Sequence, residues 1–281
     1  MSDFITRFAP SPTGYLHLGH TASAFHVWDA AARAGGKVLL RIEDIDLGRC
    51  RPEYTEAILE DLAWLGLEWD GPARIQSEHF DDYEKVVGRL TALGLTYRCF
   101  RTRSEIAEEQ ARAGLPDGTP FTGSALRPEE EARLLADGAD FVWRLSLEKC
   151  QDFLGPRYLE LSFDMVTLKG EQKTVKAQPS LHGDINLTRK DSPTAYHVAC
   201  THDDALQGIT HVIRGEDLAD AAHIHVLLQA LMDWPAPLYT HHKLILGPDG
   251  KRLAKRFRSK SLASLRAEGL SPDQVRRLAG I

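Results

Sequence analysis

The chain has 281 residues, 43% of them hydrophobic and 26% charged, and a net charge of -6. That is ordinary globular composition, long enough for one large domain carrying an insertion, and the acidic balance counts against indiscriminate nucleic-acid binding over the whole surface. No apolar run is long enough for a membrane span. Met1 to Phe4 carries no basic region leading into an apolar stretch, so no secretory signal is expected.

In chain order, Ile5 to Phe8 reads as a short strand, and the prolines and glycine of Ala9 to Gly14 force a loop. Phe25, Trp28 and Ala32 then fall on one helical stripe, closed by Gly35-Gly36. Val38 to Ile42 is a strand apolar on both faces that delivers Glu43 and Asp44 at its carboxyl end, and a second helix starts at Pro52 with Ile58, Leu62 and Leu65 on one side. This β-α-β-α order implies a parallel sheet covered by helices. From Tyr97 to Lys190 the pattern loosens: acidic helices near Ser104–Ala113 and Pro128–Ala136 flank a polar stretch from Gly114 to Arg127, and Phe141 to Leu145 reads as a strand. Alternation returns with Tyr196–Thr201 and His211–Arg214 as strands. A helix beginning near Asp217 follows, with Ile224, Leu227, Leu228 and Leu231 buried. The expected organisation is a Rossmann-like α/β catalytic domain in two halves, 1–98 and 191–240. An inserted subdomain spans 99–190, and a loop with a short helical tail spans 241–281.

The four cysteines, Cys50, Cys99, Cys150 and Cys200, form no C-x-x-C pair, which points to reduced thiols in a cytoplasm. Charge is uneven: Lys251, Arg252, Lys255, Arg256, Arg258, Lys260 and Arg266 gather near the C-terminus and suit polyphosphate or RNA. Neither G-x-G-x-x-G nor a Walker loop is present. The segment Gly247 to Arg252 only mimics a Walker loop, because its glycine spacing is too short. The alternative device for a nucleotide is Pro10 to His20. Here His17 and His20, three residues apart, sit where a loop enters a helix, on one side of its first turn. Unpaired N–H groups and dipole at that end suit triphosphate oxygens, and Gly19 lets a flat ring approach the backbone. Alone, such a histidine pair reads equally well as a helix cap or as surface.

The longer string Arg7–Gly14 followed by His17-Leu18-Gly19-His20 resembles the first signature of class I aminoacyl-tRNA synthetases. Arg252-Leu253-Ala254-Lys255-Arg256 resembles their lysine signature, in the expected order. Leu40 to Asp44, Leu67 to Gly71, Val212 to Asp217 and Asp203 to Gly208 further resemble the glutamyl-type synthetases and, among them, the short glutamyl-Q tRNA(Asp) group. The likeness is good over 5–100 and 195–256 and poor over the insertion. It implies a cytoplasmic, ATP-dependent ligase, expected to be a monomer with no membrane association. Such an enzyme activates glutamate with ATP and Mg²⁺ and esterifies it onto queuosine at the wobble position of tRNA(Asp).

Carried over position by position, the resemblance assigns His17, His20 and Lys255 to catalysis. Gly19, Arg252, Leu253, Ala254 and Arg256 join them around ATP. Arg7, Phe8, Ala9, Pro10, Ser11, Glu43, Tyr196 and Arg214 would surround glutamate. An arginine fork such as Arg214 matches a carboxylate bidentately, and a carboxylate at a strand end, as Glu43 is, can hold an ammonium group. Arg258 and Lys260 would meet RNA phosphate. Two departures stand out. Many relatives hold zinc in the insertion with a Cys-x-Cys pair and a later cysteine, whereas this chain has only Cys99-Phe100-Arg101, and Phe121 to Leu126 lacks cysteine, so no zinc is expected. Ala254 stands where a serine is usual. A truncated glutamyl-tRNA synthetase charging a 3′ end, set against the 25 residues after Arg256, and a non-catalytic glutamate- or RNA-binding paralogue remain the alternatives.

Overall fold

A computed structural model describes residues 4–245 and 260–281. β1 (Ile5–Phe8) leads through the proline loop into α1 (Leu18–Ala34). α1 stops at Gly35, whose left-handed φ of 61° closes the last turn at no Cβ cost. β2 (Lys37–Ile42) returns parallel to β1, with Ile5 opposite Lys37 and Phe8 opposite Leu40. α2 (Pro52–Trp64) starts with proline in its first turn, where no N–H is needed, and crosses to β3 (Arg74–Ile75), parallel to β2. α3 (Phe80–Ala92) buries Tyr83, Val86, Val87 and Leu90, one helical stripe.

The stretch read as an insertion from residue 99 follows directly on β4 (Thr96–Cys99), paired antiparallel with β5 (Val142–Leu145); α4 (Arg103–Arg112) and α5 (Pro128–Ala136) lie between them in the chain. α6 (Leu147–Leu154), α7 (Pro156–Glu160) and a hairpin of β6 (Ser162–Val166) and β7 (Gln172–Lys176) follow. This hairpin does not stay apart. β6 pairs parallel with β9 (Leu238–His242), Met165 facing Tyr239, so a piece of the insertion extends the sheet of the second half.

α8 (Tyr196–Leu206) replaces the strand expected at Tyr196–Thr201. A short apolar run does not distinguish a strand from a buried helix. Its buried set, Val198 to Thr201 and then Asp203 and Asp204, is spread around the whole helix, so no one-sided stripe marked it as helical. β8 (His211–Gly215) and β9 are parallel, joined through α9 (Ala221–Met232). Thr210 N–H donates to the Ile5 carbonyl at 2.9 Å, which sets β8 beside β1. The strands therefore run β3-β2-β1, then β8-β9-β6-β7, and the winding reverses between β1 and β8.

One apolar cluster joins α3, α8 and α9; the other lies under α1 and α2. α10 (Leu262–Ala267) and α11 (Pro272–Leu278) bury Leu262, Leu265 and Val275 in the second cluster. Leu262 N–H donates to the Leu16 carbonyl at 2.8 Å, which fastens the tail to the segment carrying His17. Among the described residues no helix is long and apolar enough to cross a membrane.

Candidate active site

In an open parallel sheet, ligands sit beyond the carboxyl ends of the strands where the winding reverses. A cavity of about 550 Å³ opens there, between the ends of β1 and β8. Arg7, Phe8, Ala9, Pro10, Ser11, Glu43, Tyr196 and Arg214 all line it, as do His17, Gly19 and His20. Residues as far apart in sequence as Arg7 and Arg214 are thus brought to one wall. The loop keeps its path because Glu43 N–H donates to the Pro10 carbonyl at 3.0 Å and Arg51 N–H to that of Pro12 at 3.1 Å. Arg252, Leu253, Ala254, Lys255, Arg256 and Arg258 lie outside the described residues. Lys260 is exposed and pairs with Glu268 at 2.6 Å.

His17 caps α1 and its Nδ1 accepts from Gly19 N–H at 3.1 Å; His20 Nδ1 accepts from His17 N–H at 3.2 Å. The rings stack 3.9 Å apart. The capping reading therefore holds, and both histidines also line the cavity. The flat ring that Gly19 admits is that of His17, which a Cβ would strike. With each Nδ1 spent as an acceptor, a neutral ring carries its proton on Nε2. Burial pushes His17 down from its ordinary value. Burial, then the neighbouring His17, pushes His20 to about 3. The pair consequently presents neutral N–H donors, beside the positive end of the helix dipole.

Three buried arginines stand at or behind the cavity wall: Arg7, Arg41 and Arg214. Arg7 Nε and Arg41 share Asp204, each at 2.9 Å. Arg41 also donates to Glu43 Oε1 at 3.2 Å and to Gln207 Oε1 at 3.0 Å. Burial opposes ionisation of Asp204, but Arg7 and Arg41 outweigh it and hold its carboxyl below the usual range. Glu43 is raised, because burial exceeds the pull of Arg41 and Arg7. Neighbouring Asp203 accepts from Arg74 Nε at 2.9 Å, Gln76 at 3.0 Å and the Tyr83 hydroxyl at 2.9 Å, locking α8 against β3 and α3. Arg214 differs. Its Nε meets His241 Nε2 at 3.2 Å and one terminal nitrogen meets the Tyr196 hydroxyl at 3.4 Å, while the other, NH2, is buried without a partner.

The sequence reading did not single out Arg41, Asp204 or His241. Arg41 and Asp204 lie inside the quoted motifs, so their presence was visible and their partnership was not. His241 carried no signal. Among the described residues no group of three or more histidine, cysteine or acidic side chains could hold a metal. Glu43 gives Oε1 to Arg41, and the acidic and histidine side chains of the wall do not converge into a cage for Mg²⁺. In the insertion, Cys99 is buried among Tyr97, Ile106 and Val142; Arg101 pairs with Glu109 and lies over the Phe121 ring.

Residues 3–278 match the family of tRNA synthetases class I (E and Q), catalytic domain. The chain belongs to that family. As a class I synthetase it is an ATP-dependent ligase of the aminoacyl-tRNA synthetase type. A glutamyl-Q tRNA(Asp) synthetase of Rhodobacter capsulatus is 42% identical over 99% of this chain and 100% of its own length. One of Symbiobacterium thermophilum is 40% identical over 96% of this chain and 83% of its own. The solved glutamate-tRNA synthetase of Elizabethkingia anophelis superposes with a TM-score of 0.77 at 29% identity; this class I synthetase covers 61% of that chain.

Proposed function

We propose that the protein activates glutamate with ATP and transfers it to queuosine at the wobble position of tRNA(Asp), in the cytoplasm. The observation that carries the amino-acid assignment is Arg214, a buried cation on the cavity wall with neutral partners and one open terminal nitrogen. A desolvated guanidinium of this kind calls for an anion, and the glutamate side chain supplies one. Glu43, near Arg7 and Arg41 at the end of β2, faces the ammonium end. The α-carboxylate then forms a bond to the α-phosphorus of ATP, the bond to the bridging oxygen breaks, and pyrophosphate leaves. No protein nucleophile is required; alignment and stabilisation of phosphate charge do the chemistry. His17 and His20 offer Nε2–H donors to those oxygens, and Lys255 is assigned to the departing pyrophosphate. A queuosine hydroxyl next attacks the acyl carbon and AMP departs, the hydroxyl proton passing to solvent.

The names of the Rhodobacter and Symbiobacterium relatives, matched over most or all of their length, favour queuosine over a 3′ end. ATP–pyrophosphate exchange that requires glutamate tests the first step. Mass mapping of the glutamylated nucleoside in tRNA(Asp) tests the second, and acylation of the terminal adenosine instead would overturn it.

A further inference from the structure

The partners of the buried arginines divide sharply. Arg7 and Arg41 rest on the Asp204 carboxylate. Arg214 rests on the imidazole of His241 and the phenol of Tyr196, and the Tyr239 ring lies 5.3 Å from its guanidinium carbon. His197 and His225, whose rings stand 5.3 Å apart, both pack against Tyr196; the carboxylates of the same wall, Glu43 and Asp217, make no ion pair with Arg214 among the described residues. Burial depresses both histidines, and it pushes His241 to about 4 with Arg214 and His242 adding to the effect. These groups are therefore neutral at physiological pH.

His241 can accept from Arg214 Nε only through an unprotonated Nε2, which places its proton on Nδ1. That Nδ1 is buried and has no partner. Leaving a buried donor unmet is costly, and a carboxylate at this position would bind the guanidinium more strongly. Strength of pairing is thus not what this position serves. A carboxylate would also complete the ion pair, leaving nothing for a second anion to neutralise.

We propose that His241 is a specificity-determining positioning residue, a neutral acceptor that aims Arg214 while leaving its charge for the acidic side chain of the amino acid. This rests on the functional reading above. An uncompensated guanidinium in a dry pocket rejects glutamine because the amide cannot neutralise it, whereas a guanidinium already paired with a carboxylate would lose that preference.

The test compares His241→Gln with His241→Glu, two side chains of similar reach that differ in charge, in ATP–pyrophosphate exchange with glutamate and with glutamine. His241→Glu is expected to raise KM for glutamate strongly with a smaller change in kcat, and to lower the glutamate-to-glutamine ratio of kcat/KM by about 100-fold. His241→Gln is expected to keep that ratio within about fivefold of wild type. A merely structural role would lower both substrates' rates together and leave the ratio alone. An unchanged ratio in His241→Glu overturns the inference, and so does a ratio lost equally in His241→Gln, which serves if the acidic variant does not fold. A wild-type protein without glutamate-dependent exchange would overturn the functional reading and this inference with it.

Discussion

The catalytic halves and the insertion each turn on a buried aspartate, and they use it differently. Asp204 takes guanidinium donors, from Arg7 and Arg41. The carboxylate of Asp184, in the insertion, whose backbone carbonyl takes the Arg144 guanidinium, accepts from neutral groups: the Tyr97 hydroxyl at 2.9 Å, Gly123 N–H at 2.8 Å and Leu147 N–H at 2.9 Å. Those donors come from β4, from the loop before α5 and from the start of α6, so one carboxylate ties three stretches of chain. Gly183 beside it has a φ of 63°, and a Cβ there would run into the Phe121 carbonyl. At Asp204 charge pairing fixes cationic side chains at the cavity wall, and at Asp184 neutral donors hold the path of the chain; Asp203, with Arg74 beside Gln76 and Tyr83, holds chain elements by both means. Another buried aspartate, Asp61, has no hydrogen bond to either oxygen and only a long ion pair with Arg266, at 3.9 Å.

Breaking the charged hub should cost most. Asp204→Asn leaves two buried guanidinium groups without their shared counter-ion, and a loss of about 3–5 kcal/mol in urea unfolding is expected, with glutamate-dependent exchange abolished. A loss below about 1 kcal/mol would mean that Glu43 and Gln207 already suffice for the arginines.

Asp184→Ala strands three neutral donors, for which about 2–4 kcal/mol is expected. Hydrogen exchange should rise in β4, β5 and α6, while glutamate activation stays near wild type and transfer to tRNA falls. An equal fall in activation would erase the distinction between the two hubs. Metal analysis is expected to find no stoichiometric zinc, and a zinc chelator should leave the unfolding midpoint in place, because Asp184 rather than a thiolate cluster holds these segments.

The smallest effect is a gain. Burial pushes the Asp61 carboxyl to about 6, against a weaker opposing pull from Arg266. A carboxyl whose folded value lies above its unfolded one stabilises the fold at low pH, and that contribution is lost as pH rises through about 6. Asp61→Asn should therefore gain about 1–2 kcal/mol at pH 8 and nothing at pH 3.5, read from urea midpoints at the two pH values. A gain of the same size at both would assign the effect to packing.

Local pattern carried much of this molecule. The short runs around Ile5, Val38 and His211 marked strands, Pro52 and Gly35-Gly36 marked helix ends, and each is where the chain shows it. Tyr196–Thr201 misled because hydrophobic spacing reports burial without saying which regular structure performs it. The β6–β7 hairpin was read as part of a separate insertion because nothing in Ser162 to Lys176 announces that Met165 will face Tyr239 on a strand much further along the chain.

Residue chemistry at short spacing is what the sequence determined by itself: a loop entering a helix with His17 and His20 on its first turn, Glu43 at a strand end, Arg214 within a glutamyl-type motif. The tertiary structure alone decided how those charges are compensated. Arg7 and Asp204 are 197 residues apart, and Arg214 and His241 are 27 apart on adjacent parallel strands. Whether an arginine is already neutralised or still open to a ligand depends on which group packing sets within hydrogen-bonding distance of it. Burial then multiplies the energetic consequence of that choice, because a low-dielectric surrounding leaves no water to make good a missing counter-ion.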